Sequence, residues 1–419
     1  MVTNIRIVIG GNFGDEGKGL MTASFADEMM ARSGCCLNVL SNGGPQRGHT
    51  VVRGQVRHVF RHFGSGTFAG ADSYFPSQFL VNPMIFVKEL EELKGKLPSG
   101  NSFPKVFIHP DCLVTTPYEM MTNLILEENR GAKRHGSVGV GIWETLIGGG
   151  KSFAQLAAME EKQREEYLAR DRREHLMTRL AENGIGQLPD AWKEIVYDPA
   201  VIRQYLEDFA LMREMVHITD DAVLKAYPEI LFENGQGLLL DTGMKYKGYG
   251  NHTTPSNTGI ENPARIVSSA FGLKHTVPSV SRQEQQRVDH EEKAEGQDTK
   301  LHTQAVYVTR SYMTRHGAGR FDTECPMEQI NPAIRDRTNV PNESQGTIRY
   351  GTLNMTSFLR RVRRDFSAWK EITGSEAEWA VCMTHLNEYA HPGARNAAVK
   401  YHSDCEESYR GVEETFCIS

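Results

Sequence analysis

The sequence predicts an α/β fold on a mainly parallel central sheet, and three observations carry that expectation. An apolar, β-branched run (Ile5, Ile7, Val8, Ile9) breaks into Gly10, Gly11, Gly14, Gly17 and Gly19, and a helical pattern follows over residues 20–30. Further strand-like runs at 37–40, 51–59 and 105–108 alternate with helical patterns, the signature of a parallel sheet covered by helices. The 419 residues give ample sequence to bury one large core.

Residues 5–19 read as strand, Gly-rich loop and helix. In that geometry bare backbone N–H groups and a helix N-terminus cradle phosphate. Lys18 stands where a phosphate-binding lysine would stand. The form G-x-x-x-x-G-K-[ST] is approached but not met, because Asn12 occupies the first glycine position and Gly19 the hydroxyl position. The loop carries Asp15 and Glu16 instead. An acid in a phosphate loop is costly unless it binds metal or moves protons. An ordinary Gly-rich turn is the alternative. The acids beside Lys18 weigh against it, and so does a second motif after the 37–40 strand. That motif, SNGGPQRGHT, holds Gly43, Gly44, Gln46, Gly48, His49 and Thr50.

Residues 82–97 read as a helix, with Asn82 as N-cap, Pro83 in the first turn and an end near Pro98. Residues 151–188 are rich in Glu, Lys, Arg and Ala, and 200–226 continue the helical pattern. We read 151–226 as a helical subdomain within a single unit spanning 1–419. The charged stretch 283–300 reads as exposed. Residues 335–351 read as a mobile loop of the kind that closes over substrates.

The net charge of −6 provides no global field for nucleic acid, and the basic run 360–364 reads as the solvated or anion-facing side of a helix. Seven scattered cysteines without a C-x-x-C pair suggest reduced thiols. No apolar run reaches membrane length and the N-terminus does not read as a signal peptide, so a soluble, cytoplasmic protein without membrane partners is expected.

GDEGKG followed by GG-x-x-x-GHT resembles the adenylosuccinate synthetase family. ENGQG at 233–237, PSNTG at 255–259 and SYMTRHGAGRFDTE at 311–324 agree, the last with the family form YTTRVGAGPFPTE. The resemblance implies a ligase that joins L-aspartate to C6 of a 6-oxopurine monophosphate, with Mg²⁺ and a nucleoside triphosphate, and it implies a homodimer. Asp15 would be the base and a Mg²⁺ ligand, His49 the acid, and Gly48 a further Mg²⁺ ligand through its backbone. Gly14, Glu16, Gly17, Lys18, Gly19 and Thr50 would contact the donor phosphates. Gln236 would meet the purine. Gln46, Ser137, Gly139 and Thr254 would hold the acceptor monophosphate. Thr347 and Arg349 would bind aspartate.

The donor base is read in the family by T-K-L-D, which here becomes Thr384, His385, Leu386 and Asn387. Asn387 has an NH₂ beside its oxygen and cannot act as the charged double acceptor that guanine takes. ATP rather than GTP is therefore the expected donor. Gln46 replaces the asparagine of the family's GGHNAGHT, and Val140 replaces an arginine. These departures favour the family branch that aminates (d)GMP. IMP with GTP is the second reading, and a catalytically inactive nucleotide-binding regulator is a reading of another class.

Overall fold

The computed structural model describes residues 2–97, 102–250, 252–273, 300–332, 334, 346–386 and 399–402. Among them nine strands form one sheet, and every neighbouring pair in it is parallel. The α/β class expected from the sequence is observed. Strand β1 (Val2–Gly10) lies between β8 (Glu229–Glu233) and β9 (Lys300–Arg310). One wing continues through β2 (Leu37–Val39), β5 (Asp72–Phe75), β6 (Val106–Ile108) and β7 (Val216–Ile218). The other runs through β12 (Glu378–Thr384) to β13 (Val399–His402).

The apolar run of β1 is continuous because both faces of the sheet are covered. Ile5, Ile7 and Ile9 pack with Ile266 and Val267 of helix α10 (Glu261–Phe271) and with Phe358, Val362 and Trp369 of α12 (Met355–Thr373). Val8 points the other way, onto Met21, Phe25, Ala26 and Met29 of α1 (Lys18–Ser33). Alternate side chains of a strand face opposite sides, so a single run supplies both cores. α2 (Pro83–Lys94) starts as its sequence predicts: Asn82 accepts a hydrogen bond from the Ile85 amide, and Pro83 follows it.

Two expectations about elements need correction. The run 51–59 is not a strand of the parallel sheet. It is most of a hairpin, β3 (His49–Arg53) paired antiparallel with β4 (Val56–Phe60), reversed at Gly54 with φ 59°. The helical pattern of 200–226 also ends early. After α9 (Pro199–Met215), the residues Val216, His217 and Ile218 join the edge of the main sheet as β7. A three-residue strand is too short to register as a period.

The region 151–226 otherwise forms helices: α5 (Phe153–Ala158), α6 (Glu161–Asp171), α7 (Met177–Glu182), α8 (Asp190–Tyr197) and α9. Leu168, Leu180, Val196 and Tyr205 form an apolar cluster against Tyr118 and Ile125 of α3 (Pro117–Arg130). Phe153, Leu156, Phe209 and Met212 instead join the core under β4 to β6. A six-residue helix, α4 (Ile142–Ile147), follows the loop after α3, and a one-turn helix, α11 (Met327–Ile330), lies in the chain between β10 (Met313–Arg315) and β11 (Arg349–Gly351), which pair antiparallel. The charged stretch 283–300 lies outside the described residues apart from its end in β9, and so do residues 335–345 of the expected mobile loop. No described helix is long and apolar enough to cross a membrane.

Candidate active site

The site gathers where parallel strands end. Gly10, Glu233, Arg310 and Thr384 close β1, β8, β9 and β12, and Ser41 lies two residues past β2. The C-terminal edge of an open parallel sheet is where such folds bind ligands.

The Gly-rich loop is closed on itself. Oε1 of Glu16 accepts from the amides of Asn12 at 3.0 Å and Gly14 at 2.9 Å. Oε2 pairs with Lys18 Nζ at 2.7 Å, and both side chains are buried. Glu16 thus lies in the nest of loop amides as an internal anion. The sequence reading had Glu16 and Lys18 on donor phosphates; in this structure they hold each other. Gly237 must pass close by, since a Cβ there would meet the Asn12 carbonyl oxygen at 2.4 Å. Arg361, from the basic run of α12, donates to the Gly11 carbonyl at 2.8 Å and to Asn12 Oδ1 at 2.7 Å. Thr384 donates to the Glu16 carbonyl at 2.8 Å.

Among the described residues, only Asp15 (φ 60°), Gln236 (φ 57°) and His385 (φ 59°) combine a side chain with positive φ, and all three are predicted site residues. Such backbone strain persists where the surroundings over-determine it, and it clusters at functional sites. Arg310 fixes the Asp15 backbone by donating to its carbonyl. The Asp15 side chain remains 37 % exposed, and its Oδ2 accepts from His316 Nδ1 at 2.8 Å. Burial raises the Asp15 pKa, but the His316 hydrogen bond and the charges of His316, Arg310 and Lys18 outweigh it and hold the carboxyl at about 2. His385 Nδ1 lies 2.8 Å from the Thr384 hydroxyl. Asn387, the residue on which the donor reading turned, lies outside the described residues.

His49 opens β3, buried against α1: a Cβ on Gly19 would meet His49 Cβ at 2.9 Å. Its Nδ1 lies 2.6 Å from Glu233 Oε1. Glu233 is fully buried, accepts from the Ser65 amide and hydroxyl, and has Arg47 3.8 Å away. Burial raises the Glu233 pKa, yet Arg47, His49 and Ser65 hold it at about 2. An ionised Glu233 fixes the tautomer: Nδ1 of His49 carries the proton and Nε2 is left for a ligand. Burial in turn lowers the His49 pKa, against the pull of Glu233. His49 and Asp15 both feel the charge of Lys18, so one cation lies within reach of both. The sequence reading quoted Glu233 within ENGQG but gave it no role. Its partner His49 is 184 positions away, and no local spacing reveals the pair.

Beside this cluster lies a cavity of about 410 Å³. Gln46, Gln236, Ser137 and Thr254 line it, with His135, His252, Arg315 and His316. Both amide atoms of Gln46 are shielded from solvent and have no hydrogen-bond partner. An orphaned buried amide facing a cavity is what a ligand would complete. Ser137 donates its hydroxyl to Asn123 Oδ1 at 2.8 Å. Gly139 is set back, with φ 76°. Arg349 pairs with Glu324 and donates to the carbonyls of Gly317 and Gly319, so it ties down the loop that carries His316. Thr347 is exposed and does not line the cavity, and Gly48 is exposed just before His49.

A Mg²⁺ ion fits this donor set in one way. Among the described residues no cluster of three or more His, Cys, Asp or Glu side chains could hold a metal. Asp15 is the loop carboxylate that still faces solvent, since Glu16 is consumed within the loop. Mg²⁺ commonly takes one or two carboxylates, several waters and substrate phosphates, and one carboxylate suits that arrangement.

Comparison with known proteins follows this geometry. The family model described as adenylosuccinate synthetase matches residues 7–364. The adenylosuccinate synthetase of Mesoplasma florum is 24% identical over 97% of this chain and 86% of its own length. That of Geotalea uraniireducens is 28% identical over 76% of this chain and 64% of its own length. Among solved structures, fully ligated adenylosuccinate synthetase from Plasmodium falciparum superposes with a TM-score of 0.62 at 17% identity, over 91% of this chain and 77% of that one. The cyanophage S-2L succinoaminodeoxyadenylate synthetase, bound to dGMP and dATP, superposes with a TM-score of 0.57 at 14% identity, over 97% of this chain and 94% of that one.

Proposed function

The chain belongs to the adenylosuccinate synthetase family of C–N ligases, and on that premise we propose that it joins L-aspartate to C6 of a 6-oxopurine nucleoside monophosphate with consumption of a nucleoside triphosphate. The observation that carries this reading is the pairing of an ionised Glu233 with His49, together with an Asp15 held on a strained turn and a Lys18 whose charge both Asp15 and His49 feel. Asp15 removes the proton from purine N1. The 6-oxygen attacks the γ-phosphorus of the donor, and the nucleoside diphosphate leaves. Protonated on Nε2 as well as Nδ1, His49 stabilises charge on that oxygen and the transferring group, and the Glu233 carboxylate stabilises the imidazolium. The aspartate amine then attacks C6, and the former 6-oxygen leaves within inorganic phosphate. Gln236 and Gln46 hold the base. Mg²⁺, held by Asp15 and the Gly48 backbone, would neutralise the donor phosphates when bound.

For the acceptor we favour (d)GMP with ATP as donor, giving N6-succino-2-amino-(d)AMP. The departures at Gln46, Val140 and Asn387 support this, as does the near end-to-end likeness to the cyanophage enzyme, whose structure holds dGMP and dATP. IMP with GTP is the second reading, favoured by the retained Asp15. The reading carries with it a homodimer in the cytoplasm. The test mixes the chain with aspartate, Mg²⁺ and each pairing of IMP, GMP or dGMP with ATP or GTP, and identifies the product by mass. A succino product appearing only with GMP or dGMP and ATP is expected. Adenylosuccinate from IMP and GTP alone would reverse the substrate assignment. Triphosphate hydrolysis that ignores aspartate in every pairing would point to the regulator instead.

A further inference from the structure

We propose that His135 and His252 are the anion-reading end of the acceptor cavity and take the 5′-monophosphate of the nucleotide, an inference that rests on the functional reading above. The two imidazoles come from separate segments. His135 opens the loop after α3, and His252 follows the 3₁₀ turn Thr242–Lys247. Their rings meet edge to face across the cavity wall, with centroids 5.4 Å apart at 66°. Both are half-buried, and among the described residues neither ring nitrogen of either carries a hydrogen bond.

The neighbouring arginines are already committed. Arg130 pairs with Glu127. Arg315 spends its guanidinium on the carbonyls of Ala318, Arg320 and His252. Glu127 also accepts from the amides of Gly136 at 3.0 Å and Ser137 at 3.3 Å, so its carboxylate braces the loop that presents His135. Lys245 is the other cation on the cavity wall, and it sits over the Trp143 ring. Two imidazoles without hydrogen bonds among the described residues thus face the space that, on the functional reading above, takes the monophosphate.

Their charge state fits a ligand-driven change. Burial lowers the His135 pKa, Arg130 and His252 lower it further, and Glu127 opposes them. Burial likewise lowers that of His252, with Arg315 and Arg349 adding to it and Glu127 opposing. Lys245 and His316 share the cavity wall. Both shifts favour the neutral form of the pair. A phosphate dianion stabilises imidazolium, so its binding takes protons up from solution.

The experiment is titration calorimetry of the full chain with GMP, guanosine, IMP and inosine, in two buffers of different ionisation heat, at pH 6.5 and 7.5. Monophosphate binding is expected to take up about one proton at pH 7.5, and nucleoside binding none. His135→Asn and His252→Asn should each weaken the monophosphate about 10-fold and leave the nucleoside unchanged, as expected for loss of one charge-assisted contact. Melting temperatures of the variants report on folding, and if a variant fails to fold, proton uptake by the native chain decides alone. Monophosphate binding without proton uptake overturns the proposal. So does an equal loss for nucleoside and monophosphate, or a phosphate-specific loss found only in Lys245→Ala. Ribose 5-phosphate separates the two readings: if it binds with proton uptake while no purine monophosphate binds, the histidine pair stands and the functional reading falls.

Discussion

The Gly-rich loop and the neighbouring cavity adjoin, yet the carboxylate at the centre of one and the amide on the wall of the other are in opposite states. In the loop the partners are already present: Glu16 takes two amides and Lys18, Arg361 takes Gly11 and Asn12, and Thr384 takes the Glu16 carbonyl. In the cavity, among the described residues, Gln46 has an unpaired amide and the His135 and His252 rings make no hydrogen bond. The difference divides the labour. The loop is shaped by the fold itself, whereas the cavity presents polar groups that the fold does not pair. Substitutions in the loop should therefore cost stability, and substitutions in the cavity should cost affinity.

The largest effect should come from Glu16→Ala. It leaves Lys18 buried without a counter-charge and removes the acceptor from the Asn12 and Gly14 amides. Breaking a buried pair from one side costs about 3–5 kcal/mol, read as lost denaturant or thermal stability. Adding Lys18→Met should restore much of that, because the stranded charge goes too. If Glu16→Ala melts like the native chain, the loop is not pre-organised and the comparison fails.

Acid should act next, through Glu233. Its carboxyl sits at about 2 when folded against an ordinary 4.5. A depressed carboxylate contributes stability that is complete above about pH 4.5 and fades as the pH falls towards 2, here roughly 3 kcal/mol. Chemical unfolding followed from pH 6 down to 3 should show that slope, and Glu233→Gln should flatten it. Arg361→Ala should follow with a loss of about 1–2 kcal/mol, the ordinary effect of removing hydrogen bonds to partly buried acceptors. A basic run that is only a solvated face would show no loss.

Much of this was legible in the chain, and the reason lies in range. The run Ile5 to Ile9 announces a buried strand because both faces are covered, and the glycines behind it announce a tight strand-to-helix loop. Those signals are local. What the sequence withheld depends on distant or directional facts. Glu233 gains its role from His49, which folding brings up from the far side of the chain. Glu16 was expected on the donor, but which way a carboxylate turns follows from amides and a lysine that the backbone places. Arg361 read as part of a charge run until α12 laid it across the loop. The hairpin at 51–59 was missed because its turn, Gly54, sits inside what reads as one valine-rich, strand-like run.

The smallest effect on stability should be the most telling for the comparison. Gln46→Leu keeps the volume and removes an amide that makes no hydrogen bond within the fold. Deleting an unsatisfied buried polar group is close to neutral or stabilising, so the melting temperature should hold or rise slightly. Acceptor affinity should nonetheless fall about 10-fold, since a ligand that had paired with the amide would find a methyl group and strand its own polar edge. Calorimetry on the same preparation reads both numbers. A stability loss with unchanged acceptor affinity would mean that Gln46 serves the fold, and the cavity would then resemble the loop it was contrasted with.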